Sequence, residues 1–458
     1  MKKTTLLLLV ILLITMSCSE KKQIDYVIFS GEIQNPSSDS INIINSQLAS
    51  IHTIKLSENN TFKDTIFTQG GFYTLDHGPQ YSHIYLKPRF DLNLFLNTRK
   101  FDKSIIYKGV GSIENNYLAK KILLQQSFGK LGSPYSYAKL SEPEFLRLTD
   151  SLYKVKINFL NENKEGLEKD FIIKESKSLE FEKLFKIADF ESWVRFVTEN
   201  KDFKVSDNFP DPYYNIDFSD EKLLIYSNYL KLLQSYIGKK VKERRMKDKN
   251  RDYYLMFLKA VEGEIMNLKI KEALVYKYGK QNLSHTQELD SVFNLIKSHI
   301  SNEKYIDEIQ GIYDELKKIK KGVVSPIFDL YDINEKLISL KDLKGKLVYI
   351  DLWATWCVPC IKEIPYLKKL EEEFKGEEIQ FVSISIWDNK EKWKTMVLEK
   401  KLGGIQLFAP DRNISFIKDY LVKGIPRFIL IDREGKVING DAKRPSNPEL
   451  KEELLKLL

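Results

Sequence analysis

Cysteine is nearly absent: Cys18, Cys357 and Cys360 are the only three in 458 residues. A framework of structural disulfides is thereby excluded. Histidine is almost as scarce, and His52, His77, His83, His285 and His299 all precede residue 320. A structural zinc site at the paired cysteines lacks its remaining ligands. A Cys–His nucleophile dyad within 320–458 is excluded for the same reason. No charge sign dominates, since 72 basic and 64 acidic residues leave a formal +8. That balance is weak ground for a polyanionic partner. No Gly-Lys follows Gly109-Val110-Gly111, so this glycine turn is not a phosphate loop. Neither a metal nor a cofactor is expected.

The N-terminus carries a basic start, Met1-Lys2-Lys3, and an apolar stretch from Leu6 to Ile14 of secretory length. Residues 1–17 read as a signal peptide, too short to span a bilayer. A small residue directly before Cys18 resembles the lipobox of bacterial lipoproteins, with Thr15 and Met16 departing from its commonest form. The resemblance implies lipidation of Cys18 and a membrane anchor; an ordinary signal peptide cut near Ser17 is the alternative. Ser19 resembles the pattern that permits transfer to the outer membrane, which leaves inner and outer membrane both open. Export argues against a nucleic-acid partner. With Cys18 acylated, Cys357 and Cys360 are the only thiols left, and such a lone pair serves redox work rather than stapling.

Length predicts about three domains beyond the signal peptide. Residues 18–111 read as an antiparallel β-sandwich. Its strands are Tyr26–Phe29, Ile41–Ile44, Phe72–Leu75, Ile84–Leu86 and Phe90–Leu94, separated by Asn-Pro-Ser and Gly-Gly turns. Residues 112–319 read as α-helical, with apolar stripes Leu223, Tyr226, Leu230, Leu233, Ile237 and Tyr305, Ile309, Ile312, Leu316, Ile319. A turn-rich break, Asp207–Pro212, divides them. The aromatics near it (Phe203, Phe209, Tyr213, Tyr214, Phe218) read as core packing. The basic run Lys239–Arg251 reads as a solvated helix end or loop. Residues 320–458 read as a mixed α/β sheet: strands Leu347–Leu352, Ile379–Ile386, Phe428–Ile431 and Lys436–Ile438, with helices after Cys360, around Lys390–Lys401 and at Leu450–Leu458.

Trp356-Cys357-Val358-Pro359-Cys360 is the one stretch that names a chemistry. It joins an apolar strand to a helical segment, Ile361–Phe374. The first sulfur therefore stands at a helix N-terminus, where unpaired N–H groups and the macrodipole favour a thiolate. The i,i+3 spacing lets the second sulfur attack a mixed disulfide formed on the first. This pattern predicts thiol–disulfide exchange.

Trp353-Ala-Thr-Trp-Cys-Val-Pro-Cys360 also resembles the active site of thioredoxin-like proteins. Asp351 is similar in place to the buried carboxylate of thioredoxin, Pro365 to the proline within the active-site helix, and Ile425-Pro426 to the cis-proline loop. The entry Gly322–Phe328, Lys344-Gly345-Lys346, Glu363 and the extra length between Ile379 and Ile425 resemble more closely the TlpA/ResA group of envelope thiol–disulfide oxidoreductases, relatives of the AhpC/TSA redoxins. The order of parts resembles long bacterial lipoproteins with a β-rich front, a helical middle and a C-terminal TlpA-like domain.

The resemblance implies catalytic roles for Cys357, Cys360, Asp351 and Glu363. Cys357 is the expected exposed nucleophile and Cys360 the shielded resolving thiol. Asp351 is placed to take a proton from Cys360. Trp356, Ile425 and Pro426 would receive an extended substrate. Arg427 reads as a surface strand residue, with steering of acidic clients or support of thiolate character as the alternative. Val358-Pro359 holds no His or Lys to stabilise a thiolate, which favours a reducing couple. The implied function is reduction of protein disulfides on the periplasmic side of the cell envelope. Disulfide-containing clients and a membrane or periplasmic thiol donor are the partners. A peroxiredoxin-like peroxidase is the second reading, although Thr355 is at the wrong offset for a Thr-x-x-Cys nucleophile. A binding scaffold with an accessory redox domain is the third.

Overall fold

The computed structural model describes residues 25–245, 252–286, 288–410 and 414–458. The expected signal peptide and Cys18 lie outside the described residues, as does the end of the basic run at 246–251. The chain divides into two compact units. One holds Pro212 and what precedes it with Ile225–Tyr229, the other Tyr213–Leu224 with Leu230–Leu458. The first cut follows the turn-rich Asp207–Pro212, where proline restricts helical continuation.

In the first unit, eight strands form two four-stranded sheets. They are β1 Tyr26–Gln34, β2 Ser40–Ile44, β3 Ser50–Lys55, β4 Thr61–Phe67, β5 Gly71–His77, β6 Gln80–Leu86, β7 Asp91–Asn97 and β8 Ile106–Val110. The orders are β4-β1-β7-β8 and β3-β2-β5-β6. Alternate apolar residues of both sheets, such as Val27, Phe29, Ile41, Ile43, Ile84 and Leu92, meet in one core with Tyr117, Leu118 and Phe171 of two following helices.

The expectation of wholly antiparallel pairing is corrected at one place, since β1 and β7 run parallel. β7 is reached from β6 of the other sheet rather than by a hairpin from β1, so no tight turn ties these two strands antiparallel. Strands β3, β4 and β8 were not expected from the sequence. Each carries polar residues between its few apolar ones, so the apolar signal is diluted (Thr-Phe-Lys-Asp-Thr-Ile-Phe in β4). Phe203 and Phe209 pack on Phe190 in this unit, whereas Tyr213 and Phe218 pack on Tyr236 in the other. Tyr214 is exposed.

The second unit joins helices Tyr253–Glu264, Leu268–Asn282, Leu289–Ser298 and Glu303–Lys317 to a seven-stranded mixed sheet. Its strands are β9 Asp329–Asp332, β10 Leu337–Ser339, β11 Leu347–Trp353, β12 Ile379–Ser385, β13 Ile405–Phe408, β14 Arg427–Ile431 and β15 Val437–Asn439. The order is β10-β9-β13-β12-β11-β14-β15, with β11, β12 and β13 parallel and β14 antiparallel to β11. The extra length after Ile379 contributes the helix Lys390–Glu399 and β13.

All seven residues of β11 are buried, as a central strand covered on both faces requires. Alternation along it puts Tyr349, Asp351 and Trp353 on one face. Tyr349 there packs with Leu367 and Leu370 of the helix Val358–Glu373 and with Leu450 and Leu454 of the last helix. No helix among the described residues is long and apolar enough to cross a membrane.

Candidate functional site

β11 ends at Trp353, and the chain turns through Cys357 into the helix Val358–Glu373, with Pro359 in its first turn. Proline suits that position because the N–H it lacks would find no partner there. Cys357 is the N-cap, and its sulfur accepts the Cys360 N–H at 3.2 Å. Cys357 and Cys360 are joined as a disulfide. Pro365 lies inside the same helix.

One expectation is corrected here. Cys357 is not exposed: in the disulfide form both cysteines are only 3 % accessible. They pack with Trp353, Trp393, Val397 and Phe408, and Ile425 leans on the same cluster. Exposure falls instead on the flanking Trp356, 58 % accessible, and Val358. The Trp356 indole N–H donates to the Trp387 carbonyl at 3.0 Å. The Ile425–Pro426 bond is cis and both residues are half-buried. The structure therefore brings Cys357, Cys360 and Ile425 into one cluster, next in sequence to Pro426, with Trp356 at its rim.

Asp351 and Glu363 are both buried, yet their settings differ. Asp351 sits in register between Ser383 of β12 and Phe428 of β14. Burial, reinforced by the carboxylates of Glu363 and Glu371, pushes it up to about 8. Glu363 is held by Ser446, which donates its backbone N–H at 2.9 Å and its hydroxyl at 3.0 Å. The two acids are thus set up for different work.

Arg427 is a second correction. It is 4 % accessible rather than on the surface. Its Nε donates to the Gly440 carbonyl at 2.8 Å and lies 3.3 Å from Asp441. As the first residue of β14, in register with Leu352, it is covered by neighbours on both sides.

Several residues at the site were not singled out from the sequence. Asp388 accepts both the backbone N–H and the hydroxyl of Thr355, at 2.6 and 2.7 Å, and the Ser385 hydroxyl at 2.9 Å. It anchors the turn before Cys357. Glu371, half-buried, is pushed up to about 7 by burial, against the opposing pull of Lys368. Its signal was present: Cys360, Ile364, Leu367, Lys368 and Glu371 share one face of the helix by spacing. Among the described residues no cluster of His, Cys, Asp or Glu is arranged to hold a metal ion.

The Redoxin family profile matches residues 320–454. Thiol-disulfide oxidoreductase ResA of Bacillus cereus is 33 % identical over 148 residues, covering 32 % of this chain and 84 % of that protein. The ResA of Bacillus subtilis is 34 % identical over 128 residues, covering 28 % and 70 %. The crystal structure of the thioredoxin domain of a thiol-disulfide oxidoreductase from Bacteroides vulgatus is 31 % identical, covering 30 % of this chain and 96 % of that one at a TM-score of 0.28. Through its C-terminal third, the protein belongs to the ResA-type thiol-disulfide oxidoreductases.

Proposed function

We propose that the protein reduces disulfides of client proteins by dithiol exchange through Cys357 and Cys360. The observation that carries this reading is the Cys357 sulfur at the helix N-cap, within hydrogen-bond reach of the Cys360 N–H. That position stabilises negative charge on Cys357, the sulfur that attacks. Its thiolate displaces one client sulfur and forms a mixed disulfide. Cys360 then loses its proton to the fraction of Asp351 that is ionised and attacks the Cys357 sulfur. The second client sulfur leaves as a thiolate, and the internal disulfide forms. Glu363, fixed in place by Ser446, acts on this step by raising the proton affinity of Asp351. Trp356, Ile425 and Pro426 form the rim over which an extended client segment lies.

The absence of His or Lys between the cysteines supports a reducing couple. The peroxidase reading loses ground further, because Thr355 spends both its groups on Asp388 rather than on a sulfur. The basic, apolar and Ser-Cys segments of residues 1–18 support an exported, lipid-anchored protein acting on the periplasmic side of the envelope, at the inner or outer membrane, with a thiol donor there. The sheets of the first unit, read as a β-sandwich, and the helices after it are proposed to recognise clients. Cys360→Ala in the full chain tests the exchange step: mixed disulfides with client proteins should accumulate through Cys357. Equal accumulation in Cys357→Ala would overturn the assignment of the nucleophile.

A further inference from the structure

On the face of the sheet covered by the helix Val358–Glu373, the helix that Cys357 caps, lies a small cavity of about 10 Å3. Asp351, Trp353, Glu371, Ser383 and Gln406 are among the residues that line it. This is about the least volume that holds one water molecule. Two buried polar atoms at this cavity, the Trp353 Nε1 and the Gln406 Oε1, have no hydrogen-bond partner among the described residues. One donates and the other accepts, which is the pairing a single water satisfies.

At its outer side the chain makes room for a carboxylate. A Cβ on Gly403 would stand 2.3 Å from one Glu371 oxygen, and a Cβ on Gly404 2.9 Å from the other. Only glycine leaves that carboxylate where it is. Cys360 and Glu371 lie on the same helix face, about 16 Å apart along the axis. Asp351 opens onto the same cavity from β11, so a polar path runs from a buried acid to a half-buried one.

We propose that Glu371 is the outlet of a proton relay, taking from Asp351, across this cavity, the proton that Cys360 gives up when it attacks the mixed disulfide. The inference rests on the reading of Asp351 as the acceptor. The balance is simple. The Cys360 S–H bond breaks and the proton goes to the Asp351 carboxylate; the Cys360–Cys357 bond forms as the bond from Cys357 to the client breaks. Asp351 returns to its starting state by passing a proton through the cavity to the Glu371 carboxylate, which releases it to solvent. No electron pair is exchanged in the relay.

The transfer from Asp351, near 8, to Glu371, near 7, runs about one unit uphill and is drawn forward by release from the half-buried Glu371 to solvent. The charged and titratable groups facing Glu371 are Lys368 on its own helix and Asp351 on β11, with Glu363 acting through Asp351. From β12 and β13 it meets Ser383 and Gln406, which do not titrate. Lys368 is itself held by the Lys400 carbonyl.

The test uses the reduced full-length protein and the chromogenic disulfide 5,5′-dithiobis(2-nitrobenzoate). The first thiolate released reports attack by Cys357, and the second reports resolution by Cys360. Glu371→Gln should leave the first phase unchanged, slow the second about tenfold above pH 7, where Glu371 is ionised, and abolish its ionisation near pH 7. Glu371→Asp should keep that ionisation at an intermediate rate. A second phase in Glu371→Gln with the wild-type rate and pH profile would overturn the relay. Asp351→Asn separates the two ideas. If it slows the second phase while Glu371→Gln does not, only the relay fails; if it has no effect, the reading of Asp351 fails and the relay with it.

Discussion

Replacing Asp351 by Asn should raise the stability of the oxidised protein, and by an amount that grows with pH. The ordinary Asp value is 3.8, and burial with two neighbouring carboxylates takes it up to about 8 in the folded chain. Between those values the folded state holds a proton that the unfolded state has released, so stability falls as pH rises through the window. Each unit is about 1.36 kcal/mol. The accumulated cost is roughly 1.5 kcal/mol at pH 5 and about 5 kcal/mol at pH 8. Asn is nearly isosteric and does not titrate, so it escapes this cost. The difference between variant and wild type should therefore widen by about 3–4 kcal/mol from pH 5 to pH 8.

Tryptophan emission during guanidinium unfolding is the suitable probe, because Trp353, Trp356, Trp387 and Trp393 are four of the five tryptophans. Titrating groups other than the neighbouring Glu363 and Glu371 contribute equally to both proteins and cancel in the difference. A gap that stays constant within about 0.5 kcal/mol across this range would refute the reasoning, since an exposed Asp351 gives no slope.

Two further changes test the surroundings of the site. Gly404→Ala places a side chain at φ +62° and sets its Cβ 2.8 Å from the Phe381 carbonyl; it should cost about 2 kcal/mol, read as a lowered denaturant midpoint with unchanged slope. Arg427→Ala removes a buried guanidinium from Asp441 and the Gly440 carbonyl. Asp441 retains some contact with solvent, so the loss should be about 2–3 kcal/mol rather than the most that a fully buried pair costs, and the same unfolding assay reads it.

What could be read from the sequence followed how local each feature is. Cys357, Cys360 and Pro359 lie within one helical turn, so their chemistry is written in consecutive residues. Asp351 was legible through its resemblance to the buried carboxylate of thioredoxin, on the strand shortly before Cys357. Pro426 is far along the chain, and only resemblance could bring it to the disulfide. The burial of Cys357 was missed because it depends on Trp393, Val397 and Phe408, which arrive with the inserted helix and β13. Glu371 was missed for a similar reason: its helical phase with Cys360 is visible, but the glycines that house its carboxylate are contributed by a distant turn. In the first unit, Asn-Pro and Gly-Gly turns marked the sheets, whereas the parallel pairing of β1 with β7 is a non-local choice that no local pattern records.

The most direct test of the central claim is the reduction potential of the Cys357–Cys360 pair, obtained by equilibrating the full-length protein against thiol–disulfide buffers at pH 7. A client-reducing enzyme with no cation between its cysteines should lie near about −270 mV, in the range of reducing dithiols. A value near about −120 mV, the range of strong oxidants, would contradict the account.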